Sequence, residues 1–205
     1  MIRNIIFDVG NVLVEWDCDG AFERLGITGE VKEAVANATV RSQDWNEYDR
    51  GGHSPDEQLA FFIGKVPQYE KELRLFWENI GLTIRRYSYA IPWIKALKAA
   101  GYRVYMLSNY AAWTFEHTRE ELSFLEEADG AVFSFQVQQV KPESAIYQTL
   151  LSSYRLVPQE CVFLDDKEEN VRAAVNEGIH GIVFSSIKQA VSDLADCGVT
   201  FQELV

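Results

Sequence analysis

The chain has 205 residues, which is enough for one well-packed core with or without a small second unit. Its formal net charge of −12 argues against nucleic acid as a partner, because no basic stripe is present to displace counterions from a phosphate backbone. No apolar stretch reaches about 18 residues, so no membrane span is expected, and 3 widely spaced cysteines argue against a disulfide framework. We therefore expect a cytoplasmic protein without a nucleic-acid or membrane partner.

The first predicted element is a short buried strand that ends in a carboxylate. Residues 5–7 form the apolar run IIF, Asp8 follows directly, and the turn formers Gly10 and Asn11 come next. A charged residue at the carboxyl end of a buried strand lies where open α/β sheets bind ligands. This stretch therefore predicts the start of a site as well as the start of a sheet.

Residues 17–86 differ in character from the first strand. Apolar residues recur at helical spacing in EVKEAVAN, DEQLAFFIGKV and EKELRLFWENI, and strand-like runs are few. Ser54, with Glu57 three residues later, has the pattern of a capping box at a helix start. We expect about four helices in a small domain over residues 17–86, inserted into an α/β core formed by residues 1–16 and 87–205.

From Ile91 onward, predicted helices and strands alternate. The helices are WIKALKAAG, FEHTREELSFL, SAIYQTLLSSY and NVRAAVNEG, and the strands are YRVYMLSN, GAVFSF, CVFLDD and GIVF. Alternation at this length predicts βαβ units and a parallel sheet flanked by helices.

Three of the predicted strands end in polar residues, and a lysine lies between the last two of them. These residues are Asp8, Ser108, Asn109, Lys141, Asp165 and Asp166. The carboxyl ends of parallel strands lie at one edge of a sheet, so we expect these side chains to converge. Clustered carboxylates suit Mg²⁺, while a hydroxyl, backbone N–H groups and a lysine suit a phosphate.

The order and spacing of these motifs resemble the haloacid dehalogenase superfamily, most of whose members are phosphatases. The four motifs stand here as NIIFDVGNVLV, VYMLSN, VKPESAIY and VFLDDKEEN. The insertion resembles the type 1 helical cap, and WNEYDRGGHSPDE resembles the cap loop of the subgroup that includes bacterial glucose-1-phosphate phosphatases. The resemblance implies an α/β fold with a Rossmann-like parallel sheet core, helices on both faces, and a small inserted helical cap domain.

The resemblance also implies a Mg²⁺-dependent phosphatase that hydrolyses a small phosphomonoester, such as glucose 1-phosphate, through an aspartyl-phosphate. In that mechanism Asp8 is the nucleophile. The metal ligands would be Asp8, the backbone carbonyl of Gly10 and Asp166, with Asp165 bound directly or through water.

The phosphate-binding and specificity residues are implied in the same way. Ser108, Asn109 and Lys141 would hold the phosphoryl group, together with Gly10 and Asn11 of the first loop. Two cap residues near the glycine turn at Gly51-Gly52, Trp45 and Arg50, are candidates for substrate specificity.

One position departs from the family pattern. The usual general acid/base is an aspartate two residues after the nucleophile, and Gly10 stands there in this chain. Three interpretations are open: a leaving group that departs easily, compensation by another residue, or a slow enzyme.

Two other functions compete with the phosphatase. One is a hydrolytic dehalogenase of the same superfamily, in which Asp8 attacks carbon; that chemistry needs no metal, so the acidic pair Asp165-Asp166 speaks against it. The other is a non-catalytic phosphate-binding domain, which only Gly10 favours.

Overall fold

A parallel β-sheet forms the centre of the computed structural model, which describes residues 1–202. The strands are β1 (Asn4–Phe7), β2 (Val14–Trp16), β3 (Ile84–Arg86), β4 (Arg103–Ser108), β5 (Gly130–Phe133), β6 (Cys161–Asp165) and β7 (His180–Val183). Five of them pair in the order β5-β4-β1-β6-β7, and all four pairings are parallel. The first strand in sequence is therefore the middle strand of the sheet.

Helices alternate with strands after residue 86, as predicted from the sequence, and form a block of their own before it. They are α1 (Cys18–Arg24), α2 (Gly29–Ala38), α3 (Asp44–Arg50), α4 (Pro55–Lys65), α5 (Glu70–Glu78), α6 (Ala90–Ala99), α7 (Ala112–His117), α8 (Ser134–Val137), α9 (Ser144–Ser153), α10 (Glu168–Asn176) and α11 (Ile187–Asp196). No helix within residues 1–202 combines the length and the apolar character needed to cross a bilayer.

Consecutive side chains of β1 point to opposite faces of the sheet, as the pleat requires. Ile5 and Phe7 pack in an apolar cluster with Trp93 of α6, and the rings of Phe7 and Trp93 lie 4.6 Å apart. Ile6 packs in a separate cluster with Tyr147 of α9. Helices therefore cover both faces, which confirms the predicted α/β class and explains why β1 is apolar at consecutive positions.

The helices α1 to α5 lie in the segment predicted to be the cap, and they pack around an apolar cluster separate from those of the sheet. Phe22 of α1 stacks on Phe76 of α5 at 4.2 Å, and Phe62 of α4 is fully buried in the same cluster. Ser54 begins α4 with the predicted capping box, because its hydroxyl accepts from the Glu57 N–H and the Glu57 carboxylate accepts from the Ser54 N–H.

The base of the cap differs from the sequence prediction. The structure has five helices where about four were predicted, and β2 and β3 pair antiparallel where the chain enters and leaves the cap. Strands of three residues are too short to show an alternating pattern in sequence. The exact boundaries at residues 17 and 86 remain a prediction.

A second difference concerns FEHTREELSFL, which was predicted to be one helix. Helix α7 ends at His117, and a 3₁₀ turn follows over Ser123–Glu127. Thr118 is buried and its hydroxyl pairs with that of Tyr110, while Phe124 packs in the core beside α6. These tertiary contacts outweigh the local helical preference of the segment.

Candidate active site

Three functional side chains follow directly from the sheet topology. Asp8 comes immediately after β1, Ser108 ends β4, and Asp165 ends β6. Because β1 lies between β4 and β6, the three strand ends are neighbours at the carboxyl edge of the sheet. This is the edge at which open α/β sheets bind ligands.

Lys141 joins two of these carboxylates. Its ammonium lies 2.8 Å from Asp8 Oδ1 and 2.6 Å from Asp165 Oδ2, and its side chain is almost completely buried. Burial by itself lowers the pKa of Lys141, but the charges of Asp8 and Asp165 outweigh it, so the pKa lies above its ordinary value. Lys141 is therefore a fixed positive charge against the first carboxylate.

Asn109 holds the backbone of Lys141 in place. Its Oδ1 accepts from the Lys141 N–H at 2.7 Å, and its Nδ2 donates to the Lys141 carbonyl at 3.0 Å. The Ser108 hydroxyl is buried and lines the pocket, and its contact with the Asn109 carbonyl, at 3.5 Å, is too long to be strong. Asn109 thus positions the lysine, while the Ser108 hydroxyl is available to a ligand.

The two carboxylates at the end of β6, Asp165 and Asp166, are held differently. Asp165 is fully buried and accepts from the Lys167 N–H and from Asn170 Nδ2, in addition to its contact with Lys141. Burial raises the pKa of Asp165, but Lys141 and these hydrogen bonds lower it by more, so the pKa lies below its ordinary value. Asp166 is partly exposed, and its Oδ2 accepts from Asn11 Nδ2 at 2.9 Å.

Asn11 is in the left-handed region, with φ of 55°, which asparagine tolerates better than most residues. Its Oδ1 accepts from the Trp16 N–H at 3.2 Å. The turn after β1 is thus tied to β2 on one side and to the acidic loop after β6 on the other. This pattern makes Asn11 a positioning residue for Asp166.

The acidic cluster fits a hard divalent cation. Asp8, Asp165 and Asp166 each offer a carboxylate oxygen, and these oxygens lie within 4.8 Å of one another. Burial raises the pKa of Asp8 to about 7, and the charges of Asp165 and Asp166 add to this effect despite the neighbouring Lys141. An all-oxygen donor set with excess negative charge is the environment that Mg²⁺ prefers, and a cation there would favour ionised Asp8. Gly10, whose carbonyl was the fourth predicted ligand, lines the same pocket.

The pocket of about 360 Å³ lies between the sheet edge and the cap. From the core it is lined by residues that include Asp8, Gly10, Asn11, Ser108, Asn109, Lys141, Asp166, Lys167 and Asn170. From the cap and the segment that leads to it come Trp16, Arg41, Ser42, Gln43, Trp45, Asn46 and Asp49. The pocket lining thus includes every predicted core residue except Asp165, whose carboxylate contacts Lys141 and belongs to the acidic cluster.

The two cap residues singled out from the sequence have different positions. Trp45 lines the pocket and packs edge-on against Tyr48 at 4.7 Å. Arg50 is not among the lining residues, because its guanidinium pairs with Glu143 at 2.7 Å and with Glu47 at 3.1 Å. Arg50 therefore connects the cap to the core instead of reaching the pocket.

Sequence reasoning missed Asp49. It lies on α3 four residues after Trp45, so the two share a helix face, and both line the pocket. Burial raises the pKa of Asp49 to about 7, with Lys167 and Lys141 opposing this and Asp8 adding to it. The sequence signal that could have identified Asp49 is its position four residues after Trp45, which was already a candidate.

Comparison with known proteins identifies the family. The model of the haloacid dehalogenase-like hydrolases matches residues 2–178. Among curated relatives, a sesquiterpene phosphatase of Aspergillus oryzae is 26% identical over 86% of this chain and 87% of its own length. A D-ribitol-5-phosphate phosphatase of Bacteroides thetaiotaomicron is 27% identical, over 83% of this chain and 86% of its own length.

Solved structures share the fold. A haloacid dehalogenase family enzyme of B. thetaiotaomicron, in complex with magnesium and inorganic phosphate, aligns with a TM-score of 0.73 at 18% identity, over 91% of this chain and 96% of that one. An L-2-haloacid dehalogenase of Xanthobacter autotrophicus aligns with a TM-score of 0.65 at 13% identity, over 98% and 85% of the two chains. On the match over residues 2–178, this chain belongs to the haloacid dehalogenase-like hydrolase family.

Proposed function

We propose that this hydrolase is a Mg²⁺-dependent phosphatase that forms an aspartyl-phosphate on Asp8. The observation that carries the proposal is the pairing of two features at one sheet edge. Asp8 contributes an oxygen to the three-carboxylate cluster and also lies 2.8 Å from the Lys141 ammonium. A nucleophile between a cation site and a fixed positive charge suits attack on an anionic phosphoryl group.

The proposed roles follow from where each group lies. Asp8 attacks phosphorus, and Lys141 neutralises charge on the phosphoryl oxygens. The buried Ser108 hydroxyl, which has no strong partner, donates to one of those oxygens. Bound Mg²⁺ would be held by Asp8, Asp166, the Gly10 carbonyl and, directly or through water, Asp165, and would supply charge neutralisation between nucleophile and phosphate.

The substrate in this proposal is a small phosphomonoester of the sugar-phosphate class, with glucose 1-phosphate as one candidate. The cap covers the sheet edge, and a pocket of about 360 Å³ limits the size of what can enter. The cap side combines an aromatic surface at Trp45 with the polar side chains of Gln43 and Asn46, a mixture that suits a hydroxylated substrate. The polyol-phosphate substrate in the name of the B. thetaiotaomicron relative supports this class.

The test is phosphate release from a panel of sugar phosphates and p-nitrophenyl phosphate, with Mg²⁺ and with EDTA. We expect turnover that EDTA abolishes and Mg²⁺ restores. Asp8→Asn should abolish turnover while the protein stays folded by circular dichroism. Asp56→Asn is the matched control, because Asp56 is an exposed carboxylate in the first turn of α4 and does not line the pocket.

The outcome that contradicts the proposal is an absence of phosphate release from every substrate. Halide release from a 2-haloacid without added metal would instead identify the dehalogenase. The shared fold with the X. autotrophicus enzyme is compatible with that result, but the three-carboxylate cluster argues against it, since such a site favours a cation.

A further inference from the structure

A phosphomonoester with a poor leaving group needs a proton donor at the departing oxygen, and Gly10 has no side chain to supply one. We propose that Asp49 of the cap is the general acid/base for this enzyme, acting on the leaving-group oxygen and then on the attacking water. This assignment rests on the phosphatase function proposed above. It places a catalytic residue on a different structural unit from the nucleophile.

The first support is position. Asp49 is on α3 and lines the pocket on the cap side, whereas Asp8 lines it on the sheet side. A phosphomonoester whose phosphoryl group contacts Asp8 directs its leaving group away from the sheet edge and towards the cap. The charged groups that influence Asp49 are Lys167, Asp8 and Lys141, all of them in the core site.

The second support is anchoring. The Ser134 hydroxyl of the core donates to the Asp49 carbonyl at 2.5 Å, and it also accepts from the Tyr110 N–H at 2.8 Å. The next residue, Arg50, makes two hydrogen bonds to Glu143, at 2.7 and 2.9 Å. The backbone at Asp49 is therefore fixed to the core by two separate contacts, at its own carbonyl and at the next residue.

The third support is chemical availability. Within residues 1–202, the carboxylate of Asp49 makes no hydrogen bond or ion pair, whereas Asp8 pairs with Lys141 and Asp166 accepts from Asn11. Its pKa of about 7 lets it hold a proton in one step and lose it in the next at neutral pH.

The neighbouring tyrosine hydroxyls are not suited to act as the general acid/base. The Tyr48 and Tyr110 hydroxyls pair with those of Thr114 and Thr118, at 3.2 and 2.8 Å. Burial raises the pKa of both tyrosines above the ordinary value, with the charge of Asp49 adding to the effect. Neither phenol is therefore poised to exchange a proton at neutral pH.

The two steps balance as follows. As a bond forms between an Asp8 oxygen and phosphorus, the bond from phosphorus to the leaving oxygen breaks, and the proton of Asp49 passes to that oxygen to release an alcohol. In the second step ionised Asp49 accepts a proton from water, the water oxygen bonds to phosphorus, and the Asp8–phosphorus link breaks to release phosphate. Both side chains return to their starting states.

The experiment compares two leaving groups in Asp49→Asn. The alkyl alcohol of ribitol 5-phosphate must be protonated to leave, whereas p-nitrophenolate is a stable anion that leaves unaided. With ribitol 5-phosphate we expect turnover to fall on the order of 10²–10⁴-fold. With p-nitrophenyl phosphate we expect a burst of about one p-nitrophenolate per enzyme and then slow release, because water activation is impaired.

The trapped aspartyl-phosphate gives a readout that is independent of turnover. Intact-protein mass spectrometry of Asp49→Asn after the burst should show one added phosphoryl group. Asp56→Asn, the exposed control on α4, should behave as wild type with both substrates. Equal loss with the two substrates and no phosphoprotein would overturn the assignment in favour of a structural role, and unimpaired turnover would overturn it outright.

A rescue variant completes the test. A Cβ added at Gly10 meets no atom within 4 Å, and the φ of this residue is not in the left-handed region, so the backbone accepts a side chain there. With ribitol 5-phosphate, Gly10→Asp in the Asp49→Asn background should turn over at least tenfold faster than Asp49→Asn alone. If wild type itself releases no phosphate, the proposed function fails and this assignment fails with it; if wild type is active and Asp49→Asn is too, only the assignment fails.

Discussion

Replacing Asp49 by asparagine is expected to stabilise the folded protein above neutral pH, in addition to impairing turnover. Burial raises the pKa of this carboxyl from 3.8 to about 7, so the folded state prefers the protonated form. Ionisation therefore destabilises the fold by an amount that is absent below about pH 4, grows up to about pH 7 and then stays constant. Asparagine has the shape of the neutral acid and does not ionise, so it removes this penalty.

The size of the effect follows from the pKa shift. About three pH units, at about 1.4 kcal/mol each, give a ceiling of about 4 kcal/mol at pH 8. Solvent reaches part of Asp49, which screens the penalty, so we expect roughly 1–2 kcal/mol. At pH 5 the stabilisation should be less than half as large, because only the interval from pH 3.8 to pH 5 contributes.

The assay is urea unfolding of wild type, Asp49→Asn and the Asp56→Asn control in EDTA, at pH 5 and pH 8. The expected result is an increase in unfolding free energy for Asp49→Asn that is larger at pH 8 than at pH 5. A variant that is no more stable than wild type at pH 8, or one equally stabilised at both pH values, would refute the reasoning that Asp49 is ionised at a desolvation cost.

Three further predictions concern other parts of the site. Lys141→Met should lose turnover and about 3–5 kcal/mol of unfolding free energy, because two buried carboxylates lose their counterion; an unchanged urea midpoint would contradict this. Gly10→Asp alone should lower the unfolding free energy in EDTA and lower it less with Mg²⁺, because the new carboxylate joins the charges of Asp8, Asp165 and Asp166; equal loss in the two conditions would contradict this. A double-mutant cycle on Arg50 and Glu143 should give a coupling of about 0.2–1 kcal/mol that decreases in high salt, because the pair is partly exposed; a salt-independent coupling would argue against an ion pair.

The sheet and its site were largely predictable from the sequence. Residues 5–7 of β1 are all buried, because both faces of the strand are covered, and the consecutive apolar run predicted this. Asp8 and Asp165 were expected to converge because parallel strands end at one edge, and the structure places both against Lys141. Local pattern and the geometry of parallel strands were sufficient here.

The supporting roles of two asparagines were not predictable. Asn109 was expected to bind phosphate mainly through its backbone N–H, which stays a prediction, and its side chain holds the Lys141 backbone from 32 positions away in the chain. Asn11 was also expected to bind phosphate, and it bonds Asp166 across 155 positions. Such partners are chosen by the packing of distant loops, which no local pattern encodes.

The limit of prediction from sequence is clearest in the cap. The sequence predicted α2, α4 and α5 and the capping box at Ser54, but it did not predict α1 or α3. It did not distinguish Trp45 and Asp49, which line the pocket, from Arg50, which pairs with Glu143 of the core. Adjacent positions on a helix point in different directions, and which direction meets the site depends on how α3 docks onto the core. By itself, the sequence determined the sheet, the carboxylates at its edge and the existence of a cap; only the tertiary structure decided which cap side chains enter the site, because that depends on contacts between two separately patterned units.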